Sequence, residues 1–201
     1  MNGVGSSGSK VSVDIYWQAL REVGARVYSR IKFLRLAYER MKRPKPLPQP
    51  IHSVLFVCRG NVCRSPLAAA YFVERIRKNG GMIRVNSAGI ETRLGKPAHA
   101  LANEIAKQQG FSLQGHSTTP LSQELIKESD LVLVMEVAQK DRLFKLYPRE
   151  RHKVFLLGQF CRKGSLDIDD PYCGTHEDFK VCFERIREAC DRLIHTISEQ
   201  A

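Results

Sequence analysis

The spacing of apolar residues divides the chain near residue 50. Between residues 13 and 41 the apolar side chains recur every three or four positions, which predicts one amphipathic helix. The segment PKPLPQP at 44–50 follows, and its prolines end the helix and favour an extended spacer. We therefore predict an N-terminal extension over residues 1–50, with a Gly- and Ser-rich start, a basic helix and a Pro-rich linker, and a second domain over residues 51–201.

Beyond residue 50, short apolar runs alternate with segments of helical periodicity. Strands are predicted at 51–57, 82–89, 130–135 and 153–158, and helices at 66–79, 97–109, 122–128, 137–147 and 176–199. This alternation is typical of an α/β fold with parallel strands. We expect a three-layer sandwich in which helices cover both faces of a central four-stranded parallel sheet. Ligands in such folds bind at the carboxyl ends of the strands.

Composition and charge limit the classes of protein to which the chain can belong. The 201 residues are 43% hydrophobic, which is enough to bury the core of one domain of common size. The sequence contains neither a signal-peptide pattern nor a run of 18 apolar residues, and the six cysteines are dispersed, so we expect a cytoplasmic protein in a reducing compartment. Residues 10–45 hold ten Lys or Arg against three Asp or Glu, and a local basic patch of this kind favours an acidic partner over nucleic acid.

The segment VCRGNVCRSP at 57–66 carries the candidate chemistry. It follows a predicted strand and leads into a predicted helix, so the loop N–H groups and the helix dipole converge on one point and favour an anion there. A thiol at Cys58 would ionise readily in this place, and Arg64 adds a planar two-pronged donor for phosphate oxygens. The pattern predicts a loop around a tetrahedral oxyanion, with a nucleophile beneath it.

The segment VLFVCRGNVCRSP also resembles the active-site signature of the low-molecular-weight protein tyrosine phosphatases. Four further segments occur in the family's order and approximate spacing: SAG at 87–89, GH at 115–116, SDLVLVM at 129–135 and DDPY at 169–172. The resemblance covers residues 51 to about 198. The loop SAGIETRLGKPA is similar to that of the bacterial exopolysaccharide-associated branch of the family, and it lacks the aromatic residue that lines the substrate wall in eukaryotic relatives.

The resemblance implies hydrolysis of protein phosphotyrosine, with neither a metal nor another cofactor. Cys58 would attack phosphorus, Arg64 would hold the phosphate oxygens, and Asp170 would act first as general acid and then as general base. Asp169 is interpreted as an auxiliary or structural carboxylate. Ser65 would support the sulfur of Cys58. The residues expected to bind the substrate are Arg59, Gly60, Asn61, Val62, Cys63, Ser65 and Tyr172.

Some residues leave two interpretations open. Cys63 either packs under the loop or forms a disulfide with Cys58 that protects it from over-oxidation. Arg59 and Arg93 either favour a substrate with acidic or multiply phosphorylated surroundings or are solvated charges. The segment HSTTPL replaces the family's common Ala-Arg-Gln, so contacts near it are expected to differ. The remaining cysteines are predicted to be ordinary thiols, and neither His116 nor His176 has the spacing of a metal ligand.

Three alternative functions compete with this one. Arsenate reductases of the same fold carry redox cysteines after the strand at 130–135, whereas residues 136–153 here contain none. Phosphoarginine phosphatases of the family resemble one another in a threonine at the position of Val62, so valine favours phosphotyrosine. A catalytically silent phosphotyrosine-binding scaffold usually lacks one of the catalytic residues, and this chain has them all.

The basic helix between residues 10 and 45 lies outside the resemblance. Its apolar face would dock on the catalytic domain, lie on an anionic membrane or pair with a second copy of the chain. The membrane alternative fits a phosphotyrosine substrate such as a membrane-bound bacterial tyrosine kinase. In that case the protein would be peripheral at the inner membrane.

Overall fold

The computed structural model describes residues 46–200 and, nearer the N-terminus, residues 23, 24, 27, 30, 31 and 34. The chain forms two compact units, Met1–Arg43 and Pro44–Ala201. In the first unit all six described residues are helical, which agrees with the predicted helix. The rest of that helix lies outside the described residues. Four apolar side chains spaced four, four and three residues apart expose half or more of their surface: Val23 at 55%, Val27 at 50%, Ile31 at 58% and Leu34 at 66%.

The second unit alternates strands and helices as the sequence predicts. Its strands are β1 (Ser53–Cys58), β2 (Arg84–Gly89), β3 (Leu131–Val134) and β4 (Val154–Leu156). Its α-helices are α1 (Arg64–Lys78), α2 (Ala100–Gln108), α3 (Gln123–Lys127), α4 (Val137–Leu146) and α5 (His176–Gln200), and two 3₁₀ turns cover Pro148–Lys153 and Leu157–Phe160. The sheet has the order β2-β1-β3-β4 and all pairs are parallel, so the four-stranded parallel sheet is confirmed.

Helices cover both faces of the sheet. Every residue of β1 and of β3 is buried, which is why both strands are continuous apolar runs rather than alternating ones. Helices α1 and α5 pack together, and the core beneath them includes Phe56 of β1, Phe72 of α1 and Phe183 of α5. Helix α4 packs against β3 and β4. The three-layer prediction is confirmed.

The boundaries differ from the predicted ones in two places that matter. Helix α1 begins at Arg64 rather than at Pro66. Proline fits in the first turn because N–H groups there have no acceptor within the helix, and this start places the guanidinium of Arg64 at the helix N-terminus. Leu47, inside the Pro-rich segment predicted to be a spacer, is 7% exposed and belongs to the hydrophobic core. That leucine is the only large apolar side chain among the prolines, and burial removes it from water.

The segment before Asp170 is attached at several points. Ile168 N–H donates to the carbonyl of Met135 at 2.8 Å, and the carboxylate of Asp167 accepts the N–H of Val137, also at 2.8 Å. The guanidinium of Arg185, on α5, donates to the carbonyls of residues 163 and 165. These contacts hold the segment against the start of α4 and the side of α5. None of the helices within the described residues is long and apolar enough to cross a membrane.

Candidate active site

The loop between β1 and α1 has the geometry of an anion site. Cys58 is the last residue of β1, and Arg64 begins α1. Asn61 has a φ of 54°, a left-handed conformation that Asn tolerates better than most residues. This turn directs the Asn61 N–H at the sulfur of Cys58, at 3.2 Å. The thiol therefore lies where a backbone donor and the helix N-terminus both favour negative charge.

The side chain of Asn61 orders the interior of the loop. Its Oδ1 accepts the backbone N–H of Thr119 at 2.8 Å, which fixes the orientation of the amide because an N–H group only donates. Its Nδ2 then donates to the hydroxyls of Ser65 at 2.8 Å and Ser87 at 2.9 Å. Since Ser65 accepts there, its own proton is available to the sulfur of Cys58, 3.0 Å away, or to the carbonyl of Ala88, 3.4 Å away.

His116 supports the same residue from the other side. Its Nε2 lies 2.8 Å from the carbonyl oxygen of Asn61, and because that oxygen only accepts, Nε2 carries the proton. Sequence reasoning gave His116 no role, and it also missed Ser87 and Thr119. The sequence offered one signal for His116, because it belongs to the GH pair at 115–116 that is shared with the family. The partner could not be identified because it is a backbone oxygen 55 residues away.

Arg64 is the most buried charge of the site. Only 1% of its surface is exposed, and one of its terminal nitrogens donates to Glu136 at 2.5 Å and to the carbonyl of Ile168 at 3.0 Å. The other terminal nitrogen donates to Asp170 at 2.5 Å. Burial disfavours the charged guanidinium, yet Cys58, Asp170 and Glu136 outweigh this and raise the pKa of Arg64 above its ordinary value.

The Nε of Arg64 is buried and has no hydrogen-bond partner among the described residues. An unmatched buried donor costs about 1–3 kcal/mol, so the chain leaves one strong N–H group for a ligand oxygen. Glu136 is a further residue that sequence reasoning missed. It lies two residues beyond the end of β3, the parallel neighbour of β1, and the carboxyl ends of adjacent parallel strands meet at the same edge of the sheet.

Two more thiols lie near the site. Cys63, 2% exposed, precedes α1, and burial, Asp170 and Cys58 together raise its pKa above the ordinary range of a thiol. Burial also raises the pKa of Cys182, on α5, to about 12. Both side chains are therefore protonated at neutral pH. The Cys58–Cys63 disulfide stays a prediction.

An open cleft runs over the loop. Of the residues predicted to bind the substrate, it is lined by Arg59, Gly60, Val62, Cys63 and Tyr172, together with Cys58 and Asp170 of the predicted catalytic set. Asn61 and Ser65 are fully buried, so their side chains support the loop rather than line the cleft. The ring of Tyr172 lies 5.6 Å from that of His99, which stacks on Phe179 at 4.8 Å. Tyr172 thus forms an aromatic wall backed by the core.

Charged residues surround the mouth of the cleft. Arg59 Nε donates to Glu91 at 2.9 Å, and Arg142 donates to the other oxygen of the same carboxylate. The hydrogen bonds from Arg142 and Arg59 lower the pKa of Glu91. Arg93 and Lys96 also line the cleft. Within residues 46–200 and the six described before them, no group of three or more His, Cys, Asp or Glu side chains could hold a metal ion.

Comparison with known proteins adds to this geometry. Residues 53–201 match the family model described as low molecular weight phosphotyrosine protein phosphatase. The chain is 32% identical to the probable low molecular weight protein-tyrosine-phosphatase AmsI of Erwinia amylovora, over 74% of this chain and 99% of that protein. It is 35% identical to Wzb of Escherichia coli K12, over 74% and 97%. Among solved structures, the YwlE arginine phosphatase from Geobacillus stearothermophilus superposes with a TM-score of 0.68 at 32% identity, over 74% of this chain and 94% of that one.

Proposed function

The chain belongs to the low molecular weight phosphotyrosine protein phosphatase family and is a phosphoric monoester hydrolase, and we propose that Cys58, Arg64 and Asp170 hydrolyse phosphotyrosine through a phosphocysteine intermediate. One observation carries the assignment of roles. A single buried guanidinium contacts Asp170 and keeps an unpartnered Nε–H beside the loop that presents Cys58. Cys58 and Asp170 therefore line one cleft, and the buried Arg64 contacts Asp170.

In the first step the thiolate of Cys58 attacks phosphorus. The sulfur–phosphorus bond forms as the bond from phosphorus to the tyrosyl oxygen breaks, and that oxygen takes the proton that Asp170 carries in its neutral form, the form to which the second step returns it. As Asp170 turns to the leaving group, the terminal nitrogen of Arg64 that it contacts becomes available. Two N–H groups of Arg64 and the loop amides then hold the equatorial oxygens of the transition state.

In the second step Asp170, now a carboxylate, takes a proton from water. The water oxygen attacks phosphorus, the sulfur–phosphorus bond breaks, and Cys58 recovers its electron pair as phosphate leaves. The Ser65 hydroxyl donates to the sulfur and so makes it a better leaving group. Asn61 supports this step indirectly, because its Nδ2 occupies the acceptor side of Ser65.

Phosphoarginine is the competing substrate, since the similar YwlE structure is described as an arginine phosphatase. Val62 is the observation that favours phosphotyrosine. Its side chain lines the cleft, where branched apolar methyl groups suit the face of a phenyl ring better than they suit a guanidinium, whose N–H groups need acceptors.

The test is steady-state hydrolysis of matched phosphotyrosine and phosphoarginine peptides by the full chain and by Cys58→Ser. We expect phosphotyrosine to be the better substrate, the variant to lose about 10³-fold or more in kcat, and acid quenching to trap phosphate on Cys58 of the wild type. Hydrolysis that survives Cys58→Ser would overturn the mechanism. A preference for phosphoarginine would overturn the substrate but leave the mechanism standing.

The proposal extends to the partner and its location. We place the enzyme in the cytoplasm, acting on a phosphotyrosine protein at the inner membrane such as a membrane-bound bacterial tyrosine kinase, within the exopolysaccharide-type regulation that the resemblance predicts. The exposed Val23, Val27, Ile31 and Leu34 support peripheral contact with the membrane. They lie within a segment that holds ten cationic residues and three anionic ones, a combination that binds anionic lipid surfaces.

A further inference from the structure

Two cationic side chains on the wall of the cleft form no ion pair with a carboxylate of residues 46–200. Arg93 and Lys96 are exposed and line the cleft with Cys58, and within residues 46–200 neither is paired with an acidic side chain. Arg59 differs from them, because it forms an ion pair with Glu91. The acidic groups that face the cleft are themselves occupied, since Glu91 bridges two arginines and Asp170 contacts Arg64. The wall therefore presents uncompensated positive charge beside the phosphate loop.

The backbone that carries these two cations is clamped by one buried residue. Thr118, 0% exposed, donates its N–H to the carbonyl of Lys96 at 2.8 Å and its hydroxyl to the carbonyl of Arg93 at 2.6 Å. The same hydroxyl accepts the N–H of Lys96 at 2.9 Å, and the carbonyl of Thr118 accepts the N–H of Gly95 at 3.0 Å. Gly95, at a φ of 94°, supplies the turn between the two cations.

The clamp also joins this wall to the catalytic loop. Residues on either side of Thr118 contact Asn61: His116 donates to its carbonyl, and Thr119 donates to its side chain. The backbone positions that carry the two cations are thus held relative to the phosphate loop. A ligand that binds there orders the two side chains but not the backbone beneath them, which lowers the entropic cost of binding.

We propose that Arg93 and Lys96 form a second anion subsite, which binds a carboxylate or a second phosphate next to the phosphotyrosine of the substrate, and that Thr118 is its positioning residue. The inference rests on the proposed function and names the class of substrate that the same cleft prefers. Side-chain carboxylate and phosphate share the chemistry that an arginine and a lysine bind.

The experiment compares three phosphotyrosine peptides that differ only in the flanking residues: glutamine, glutamate, or a second phosphotyrosine. For the wild type at low salt we expect kcat/KM to be about tenfold higher for at least one anionic peptide than for the neutral one, mainly through KM, and the advantage to shrink at high salt. An advantage of the glutamate peptide identifies a carboxylate, and one of the doubly phosphorylated peptide identifies a phosphate. No advantage for either peptide overturns the proposal.

Two double variants locate the effect. In Arg93→Gln/Lys96→Gln the ratio of anionic to neutral peptide should fall to about two or less. The matched control Arg77→Gln/Lys107→Gln removes the same charge from the far ends of α1 and α2, and it should keep the wild-type ratio. A ratio retained by the first variant, or lost equally by the control, contradicts a local subsite.

Thr118 is tested by what its hydroxyl does. Thr118→Val keeps the shape but removes two hydrogen bonds to the loop, so the peptide ratio should fall through KM, while Thr118→Ser should keep it. If both variants keep the wild-type ratio, Thr118 does not position the subsite. Hydrolysis of a small aryl phosphate by the wild type is measured in parallel. Its failure counts against the proposed function, whereas a lost peptide ratio with intact aryl phosphatase activity counts only against the subsite.

Discussion

The phosphate loop and the described part of the N-terminal helix both depart from the rule that apolar side chains are buried and polar ones exposed, but they do so in opposite ways. In the loop, polar side chains are inside: Asn61 and Ser65 are 0% exposed and Arg64 is 1% exposed. In the helix, apolar side chains are outside, with Val23, Val27, Ile31 and Leu34 at least half exposed. Both arrangements cost free energy in an isolated chain.

The difference lies in how each cost is offset. In the loop the compensation is internal, because Asn61 alone takes part in hydrogen bonds to Ser65, Ser87, Thr119 and His116. Exposed apolar surface of the helix is offset only when another surface covers it. The first region is therefore organised before a ligand arrives, whereas the described apolar side chains of the second remain half or more exposed.

The largest expected effect concerns Asp170, whose contact with Arg64 has to open in the proposed mechanism. Asp170→Asn should lower kcat for phosphotyrosine by about 10²–10⁴-fold, because the phenolate then leaves without a proton. The loss should shrink with aryl phosphates whose phenols are more acidic. A loss independent of the leaving group in a series of aryl phosphates would show that Asp170 is not the proton donor.

The next effect separates the two contributions of Asn61 to the loop. Asn61→Ala should lower the free energy of unfolding by about 3 kcal/mol, since it places a Cβ residue without a compensating side chain at positive φ and leaves buried partners unmatched. Asn61→Gly should lose about 1 kcal/mol less, because glycine adopts that φ freely. Urea denaturation at constant m-value measures both. Equal losses would mean that backbone strain makes no contribution.

For the helix, the expected effect is on binding to membranes. The full chain should sediment with vesicles rich in phosphatidylglycerol, and Val27→Glu/Ile31→Glu should weaken this about tenfold or more, because it places charge on the apolar stripe. Arg30→Gln, the control within the described helix, should weaken binding only slightly, and high salt should weaken it for every variant. Negligible binding by the wild type would leave docking or self-association, and a mass that rises with concentration in sedimentation equilibrium would select the latter.

The smallest expected effect concerns Cys63 and its predicted protection of Cys58 from over-oxidation. After mild peroxide, thiol reductant should restore most activity of the wild type, and several-fold less of Cys63→Ser, while the buried-thiol control Cys182→Ser should resemble the wild type. Burial raises the pKa of Cys63, so its thiolate fraction still increases between pH 7 and pH 9. The disulfide should therefore form faster at pH 9 than at pH 7. Peptide mapping without a 58–63 linkage would exclude this route.

The sequence was sufficient for the parallel sheet and for the loop because their signals are local. Strand β1 ends at Cys58, and Arg64 follows six positions later, so one short segment specifies the anion site. The contacts of Arg64 were not accessible in the same way, since Asp170 lies 106 residues away and Glu136 lies 72 away. Pairing of adjacent parallel strands could have indicated Glu136, which lies two residues beyond the end of β3. Bonds from His116 and Thr119 to Asn61 depend on irregular loops, for which periodicity has no signal.

The attachment of the segment before Asp170 has a consequence for the timing of turnover. Hydrogen bonds that involve Arg185, Val137 and Met135 hold residues 163–168 against α5 and the start of α4, so Asp170, the proposed proton donor, follows an attached segment rather than a free loop. Enzymes that close a lid often wait for it to open, and their rates then follow solvent viscosity. A segment attached in this way has no such opening step. With Asp170 as the proton donor, we expect kcat to follow the breaking of the bonds to phosphorus and to stay constant when a viscogen is added.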